Sequence, residues 1–261
     1  MSKITEAFAH GKAFIPFFTC GDPDLETTFL AVKTAADHGA DLIELGIPFS
    51  DPTAEGPVIQ EANLRALKQG VTTDQVFDLV HRLRTEGKVT VPFVFMTYAN
   101  VVFSYGIERF MQRCEEVGLD GIILPDVPFE EKEEFEPICL KHNVELLSMI
   151  APTSEQRIAK IAKEARGFIY VVSSLGVTGT REQINTDLKS IMAVIRQYSQ
   201  QPCAIGFGIA TPAQARQMAS ISDGAIVGSA IIKLLARYGK DAPAYIGEYV
   251  QSMKDAIRDL E

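Results

Sequence analysis

No stretch of this chain is apolar for long enough to cross a bilayer, and the opening Met-Ser-Lys-Ile-Thr-Glu lacks the apolar centre of a signal peptide. Cationic side chains are in deficit: 25 Lys and Arg stand against 34 Asp and Glu, a net charge of -9. That balance argues against a nucleic-acid or anionic-membrane surface. Tryptophan is absent, an oddity from which nothing follows alone. Cys20, Cys114, Cys139 and Cys203 show no C-x-x-C spacing and no regular framework. They read as reduced, mostly buried thiols of a cytoplasmic protein rather than as disulfides or zinc ligands. No linker, charge block or low-complexity tract divides the sequence, so residues 1–261 read as one domain.

What the chain does have is a repeat of short apolar runs, each ending in Gly, Pro, Ser or Asp. They are 13–20, 41–46, 91–97, 121–125, 145–150, 168–172, 203–206 and 225–228. Most are apolar on both faces, as strands of a helix-covered parallel sheet are. Helical periodicity lies between them, as in 27–38 and 107–117, and Gly39, Gly118 and Gly167 stand where such helices stop. Eight such units, recurring every ~30 residues, predict a single (β/α)8 TIM barrel, with residues 2–10 as an extra N-terminal helix closing its bottom. An open doubly wound sheet is the rival, but no G-x-G-x-x-G opens a helix.

In such a barrel the chemistry sits at the carboxyl ends of the strands. None of His10, His38, His81 and His142 falls there, which disfavours a metal-dependent aldolase. No lysine falls there either, which disfavours a Schiff-base aldolase. The second run instead ends with Glu44 on the same strand face as Leu42 and Gly46. A carboxylate among apolar neighbours needs a partner or a task, and no cation stands at the adjoining strand ends. A stiff loop follows with Pro48, Pro52, Gly56 and Pro57 and two more acids, Asp51 and Glu55. Gly206-Phe207-Gly208-Ile209 and Gly228-Ser229-Ala230 follow the last two runs, an order that favours a phosphate cradle at a helix N-terminus over plain turns. Residues 173–180 read as a mobile lid or a plain surface loop, and Tyr98 and Tyr170 as core or site residues. The run Glu130, Glu131, Glu133, Glu134 and Glu136 reads as a solvated helical face.

The segment 44–52, Glu-Leu-Gly-Ile-Pro-Phe-Ser-Asp-Pro, resembles the signature of the tryptophan synthase α-subunit family. So do Gly-Pro-Val-Ile-Gln at 56–60, Tyr-Ala-Asn at 98–100, Asp-Val-Pro at 126–128, Gly-Val-Thr-Gly at 176–179 and the two glycine clusters, over almost the whole chain. The resemblance implies a (β/α)8 lyase that cleaves indole-3-glycerol phosphate to indole and glyceraldehyde 3-phosphate without cofactor or metal. It implies that Glu44 shuttles the proton and that position 55 holds the indole N–H. Phe17, Tyr98, Tyr170 and Phe207 would line the indole pocket or support its acids. Thr178 would belong to the lid with Gly179 beside the phosphate, and Gly208, Gly228 and Ser229 would hold the phosphate itself. It further implies a pyridoxal-phosphate β subunit in an α2β2 assembly, met by Pro48, Phe49, Ser50, Asp51, Pro52, Asn100 and Pro128. Pyridoxal phosphate would belong to that partner alone.

One departure stands out. The family has Asp where this chain has Glu55, one methylene longer, which moves the carboxylate by ~1 Å on a fixed backbone and can cost roughly a hundredfold in rate. Either the pocket is adjusted elsewhere, or activity is lowered, or the residue has been replaced. On this reading Glu55→Asp is at least as fast. A weakened subunit that still binds ligand and activates its partner, and another phosphosugar barrel such as an isomerase, are the alternatives.

Overall fold

The computed structural model describes residues 2–173 and 187–260. Nine parallel strands are found among them: β1 (Ala13–Thr19), β2 (Ile43–Gly46), β3 (Phe93–Met96), β4 (Gly121–Ile123), β5 (Glu145–Leu146), β6 (Ser148–Ile150), β7 (Ile169–Val172), β8 (Cys203–Gly206) and β9 (Gly224–Val227). The sheet order is β5-β4-β3-β2-β1-β9-β8-β7-β6, with β1 joined to both β2 and β9. β5 and β6 are the single run expected over 145–150, broken at Leu147. Its first part pairs with β4 and its second with β7, so this one segment bridges the two ends of the sheet into a nearly closed barrel. Eight βα repeats therefore stand as expected.

Apolar runs on both faces explain the parallel arrangement: all four residues of β2, β3, β7, β8 and β9 are buried. Helices pack outside the sheet. The helix Ile107–Val117 buries Phe110, Met111, Cys114 and Val117, the expected stripe, and ends on Gly118 in the left-handed region at φ +73°. Phe77, Phe95 and Phe110 meet there edge to face, with centroids 5.1 to 6.3 Å apart. The four cysteines are free and buried. No helix among the described residues is long and apolar enough to cross a membrane.

Several boundaries are corrected. β1, β3 and β9 stop one residue short of their apolar runs, and β4 two residues short, where the loops begin. The N-terminal helix covers only Lys3–Glu6, capped by Ser2, because Phe8 leaves the helical path to pack on Phe168 at 5.6 Å. It does close the barrel floor: Ile4 is buried against the space left by Gly121 and Gly167, and Ser2 reaches Glu145 at the foot of β5. The acidic run begins as a 3-10 turn, Phe129–Glu134, and is solvated except at Glu136, which is half-buried and pairs with Lys132 at 2.8 Å.

Candidate active site

The strand ends converge on a small deep cavity of about 30 Å³. Phe17 of β1, Glu44 of β2, Met96 of β3, Tyr170 of β7 and Ile226 of β9 face it, and Phe207, Gly208, Ile209, Gly228 and Ser229 come from the loops after β8 and β9. Register accounts for part of this: Phe17 lies beside Glu44 across β1 and β2, so both side chains point inward. Gly46 is required next to them, since a Cβ there would lie 2.6 Å from the Phe17 ring. Phe207 also borders a wider cleft of about 510 Å³, lined by Ala54, Leu124, Pro125, Val127 and Pro128 among others.

Glu44 is 2 % exposed, and no cation or hydrogen-bond donor meets its carboxyl among the described residues. Burial pushes its pKa up to about 8, with the nearby Glu55 charge adding to the shift. Tyr170, close enough to feel Glu44, is also held well above the usual phenol value by burial.

Glu55 is 5 % exposed and is not among the residues lining the small cavity. Asn63, on the helix Pro57–Lys68, donates to Glu55 Oε2 at 2.5 Å. The Tyr98 hydroxyl bonds the same carboxylate and accepts from the Ala54 amide at 3.1 Å. Burial raises Glu55 to about 7, and these two donors restrain the rise. The two acids thus differ by environment: Glu55 is solvated by protein donors and ionises first, while Glu44, without them, keeps its proton longer. That helix is itself fixed by Arg65, whose fork grips buried Asp22 at 2.7 and 2.8 Å.

Gly228 and Ser229 stand at the start of the helix Ser229–Tyr238, whose free amides favour an anion. Around the rim, Ser50, Asp51, Asn100 and Pro128 are exposed, and Phe49 and Pro52 are half-exposed, with Phe49 stacked on Tyr98 at 5.1 Å. Pro48, expected on the same outer surface, is buried.

The chain that folds into this barrel mouth matches one known protein family along nearly its entire length. The model of the tryptophan synthase alpha chain family matches residues 5–258. The chain belongs to this family. The tryptophan synthase alpha chain of Lacticaseibacillus casei is 49% identical over 257 residues, covering 98% of this chain and 96% of that one. The crystal structure of tryptophan synthase subunit alpha from Legionella pneumophila superposes with TM-score 0.89 at 35% identity, covering 100% of both chains. A Mycobacterium tuberculosis tryptophan synthase structure does so with TM-score 0.89 at 28% identity and 98% coverage of each. As a tryptophan synthase α subunit, the chain is a carbon–carbon lyase of tryptophan biosynthesis that cleaves indole-3-glycerol phosphate, with a β subunit as its partner. No observation favours the weakened-subunit alternative.

Among the residues expected in the site, Phe17, Glu44, Tyr170, Phe207, Gly208, Gly228 and Ser229 come together around the cavity. Tyr98 does not line it and serves the second acid instead. Thr178 and Gly179, with most of the expected lid, lie outside the described residues. Asn63 was not anticipated. Its signal was available: the buried stripe of its helix reads Ile59, Ala62, Asn63, Ala66, and an amide on an otherwise apolar face asks for a partner.

Proposed function

We propose that Glu44 carries out the retro-aldol cleavage by moving one proton, with Glu55 as its electrostatic counterpart. Protonated Glu44 gives its proton to C3 of the indole ring, which leaves an iminium-like cation at the ring nitrogen. The Glu55 carboxylate accepts the ring N–H and stabilises that charge. Glu44, now ionised, takes the proton of the hydroxyl on the adjacent glycerol carbon. The C–C bond breaks, its electron pair restores ring aromaticity, and an aldehyde leaves as glyceraldehyde 3-phosphate. Glu44 ends protonated, so the cycle balances within this chain, and the steps call on no cofactor of its own. Pyridoxal phosphate belongs to the β partner.

Phe17, Tyr170 and Phe207 would enclose the ring, and Gly208, Gly228 and Ser229 would hold the phosphate. The rim at Phe49–Pro52, Asn100 and Pro128 would meet the β subunit in an α2β2 assembly. The observation that supports this reading is the buried Glu44 carboxyl, met by no cation among the described residues, facing the same cavity as both glycine loops. Incubating the chain with indole-3-glycerol phosphate, alone and with a β subunit, and following indole release tests it. Release by the isolated chain, accelerated by the partner, is expected. No release in either condition would refute it.

A further inference from the structure

We propose that Ser173 is a positioning residue for substrate binding, clamping the loop after β8 in the shape that presents Phe207 and Gly208 to the substrate. The proposal rests on the reading of that loop as part of the substrate pocket. Ser173 is fully buried immediately beyond β7 and does not itself line the cavity. Its amide donates to the Gly206 carbonyl at 3.1 Å, extending the β7–β8 ladder by one step. Its hydroxyl then donates to the next carbonyl, that of Phe207, at 2.7 Å. One residue therefore takes up two successive acceptors of the opposing loop.

The place where it does so is where the backbone is least comfortable. Phe207 has φ +75° and Gly208 has φ +79°, two consecutive residues in the left-handed region. Glycine adopts this freely, but a bulky side chain does so only when its surroundings overdetermine it. The turn places the Phe207 ring edge-on to Tyr170, at 6.0 Å and 65°, and puts both Phe207 and Gly208 on the cavity wall with Glu44. Without the Ser173 hydroxyl, the Phe207 carbonyl loses its side-chain donor, and the loop can relax toward an ordinary φ, withdrawing the ring and the following amide.

The test compares Ser173→Ala, Ser173→Thr, which keeps the hydroxyl, and Ser173→Cys, close in size but a poor donor. For each, kcat and KM for indole-3-glycerol phosphate are measured, together with the affinity for inorganic phosphate as inhibitor and the pH dependence of kcat. The expected result for Ala and Cys is a KM raised about tenfold and phosphate inhibition weakened severalfold. kcat should fall less than KM rises, the pH dependence should keep its position because neither acid is touched, and Thr should restore most of the loss. Should the alanine protein fail to fold, the threonine and cysteine pair decides by the same readings. Unchanged KM and phosphate affinity in an active Ala or Cys variant would overturn the clamp, as would a Thr variant as impaired as Ala. A wild-type chain that neither cleaves the substrate nor binds phosphate would instead refute the underlying reading of the pocket, and the clamp with it.

Discussion

Asn63 Nδ2 lies 2.5 Å from Glu55 Oε2, so the longer acid of this chain ends on a donor placed to receive it. Tyr98 bonds the same carboxylate, so the longer side chain has two donors at its end, one of them on the helix Pro57–Lys68. This reverses the expectation drawn from sequence, that Glu55→Asp is at least as fast. Shortening the side chain withdraws the carboxylate from both donors, and kcat/KM should fall roughly ten- to a hundredfold. A variant as fast as wild type in steady-state indole release would contradict the fitted pocket.

The same contact sets a pH signature. The Asn63 bond lowers the Glu55 pKa, so Asn63→Ala should move the acid limb of the kcat/KM profile to higher pH. An acid limb left in place, in a folded variant, would show that Asn63 does not act on the titrating group.

The proposed proton transfer requires Glu44 protonated and Glu55 ionised. With Glu55 raised to about 7 and Glu44 to about 8, the wild-type kcat/KM should be bell-shaped, with its maximum between those values. The substrate phosphate titrates at about 6 and adds only to the acid side. Glu55→Gln should lose the limb near 7 along with most activity. A rate that keeps rising above pH 9 would be incompatible with a protonated Glu44.

Stability should carry the opposite mark of the same burial. Folded Glu44 holds its proton up to about 8, against 4.5 for an ordinary glutamate, so the native state binds more protons than the unfolded state between these values. Its contribution is therefore intact below 4.5 and lost as pH rises through about 8. Glu44→Gln removes that loss: equal stability near pH 4 and greater stability at pH 9 are expected in denaturant titrations. At about 1.4 kcal/mol per pH unit the ceiling is about 5 kcal/mol. A variant less stable than wild type at pH 9 would show that the buried carboxylate has a compensating partner.

Gly206 marks a close approach rather than a turn. A Cβ there would lie 2.3 Å from the Tyr170 hydroxyl oxygen and 2.6 Å from its ring. Tyr170 is buried beside Phe168 and Phe207 and has little room to yield. Gly206→Ala should lose about 1–3 kcal/mol of stability and raise KM as the ring is displaced. An unshifted thermal midpoint with normal KM would show that the ring moves freely.

The barrel was legible because its strands are apolar on both faces and its helices are not, a contrast carried by neighbouring residues. The helix Ile107–Val117 appears with the bounds that periodicity indicates, since Gly118 ends it locally. The N-terminal helix was overextended because what accompanies its end, Phe8 packing on Phe168, is a contact between residues 160 positions apart in the chain. The break at Leu147 likewise reflects a change of strand partner from β4 to β7, which no local pattern marks. In the site, Glu44 could be placed from strand alternation alone. Asn63 and Ser173 could not be assigned tasks that way, because each acts on a residue that only the fold brings near, Ser173 across a separation of 34 positions.

The most direct test is single-turnover indole formation by Glu44→Gln beside wild type, each saturated with indole-3-glycerol phosphate. Glutamine keeps the shape and removes the transferable proton, so the rate should fall at least about a hundredfold with substrate affinity nearly unchanged. Indole formation at the wild-type rate would mean that another group delivers the proton and would contradict the account at its centre.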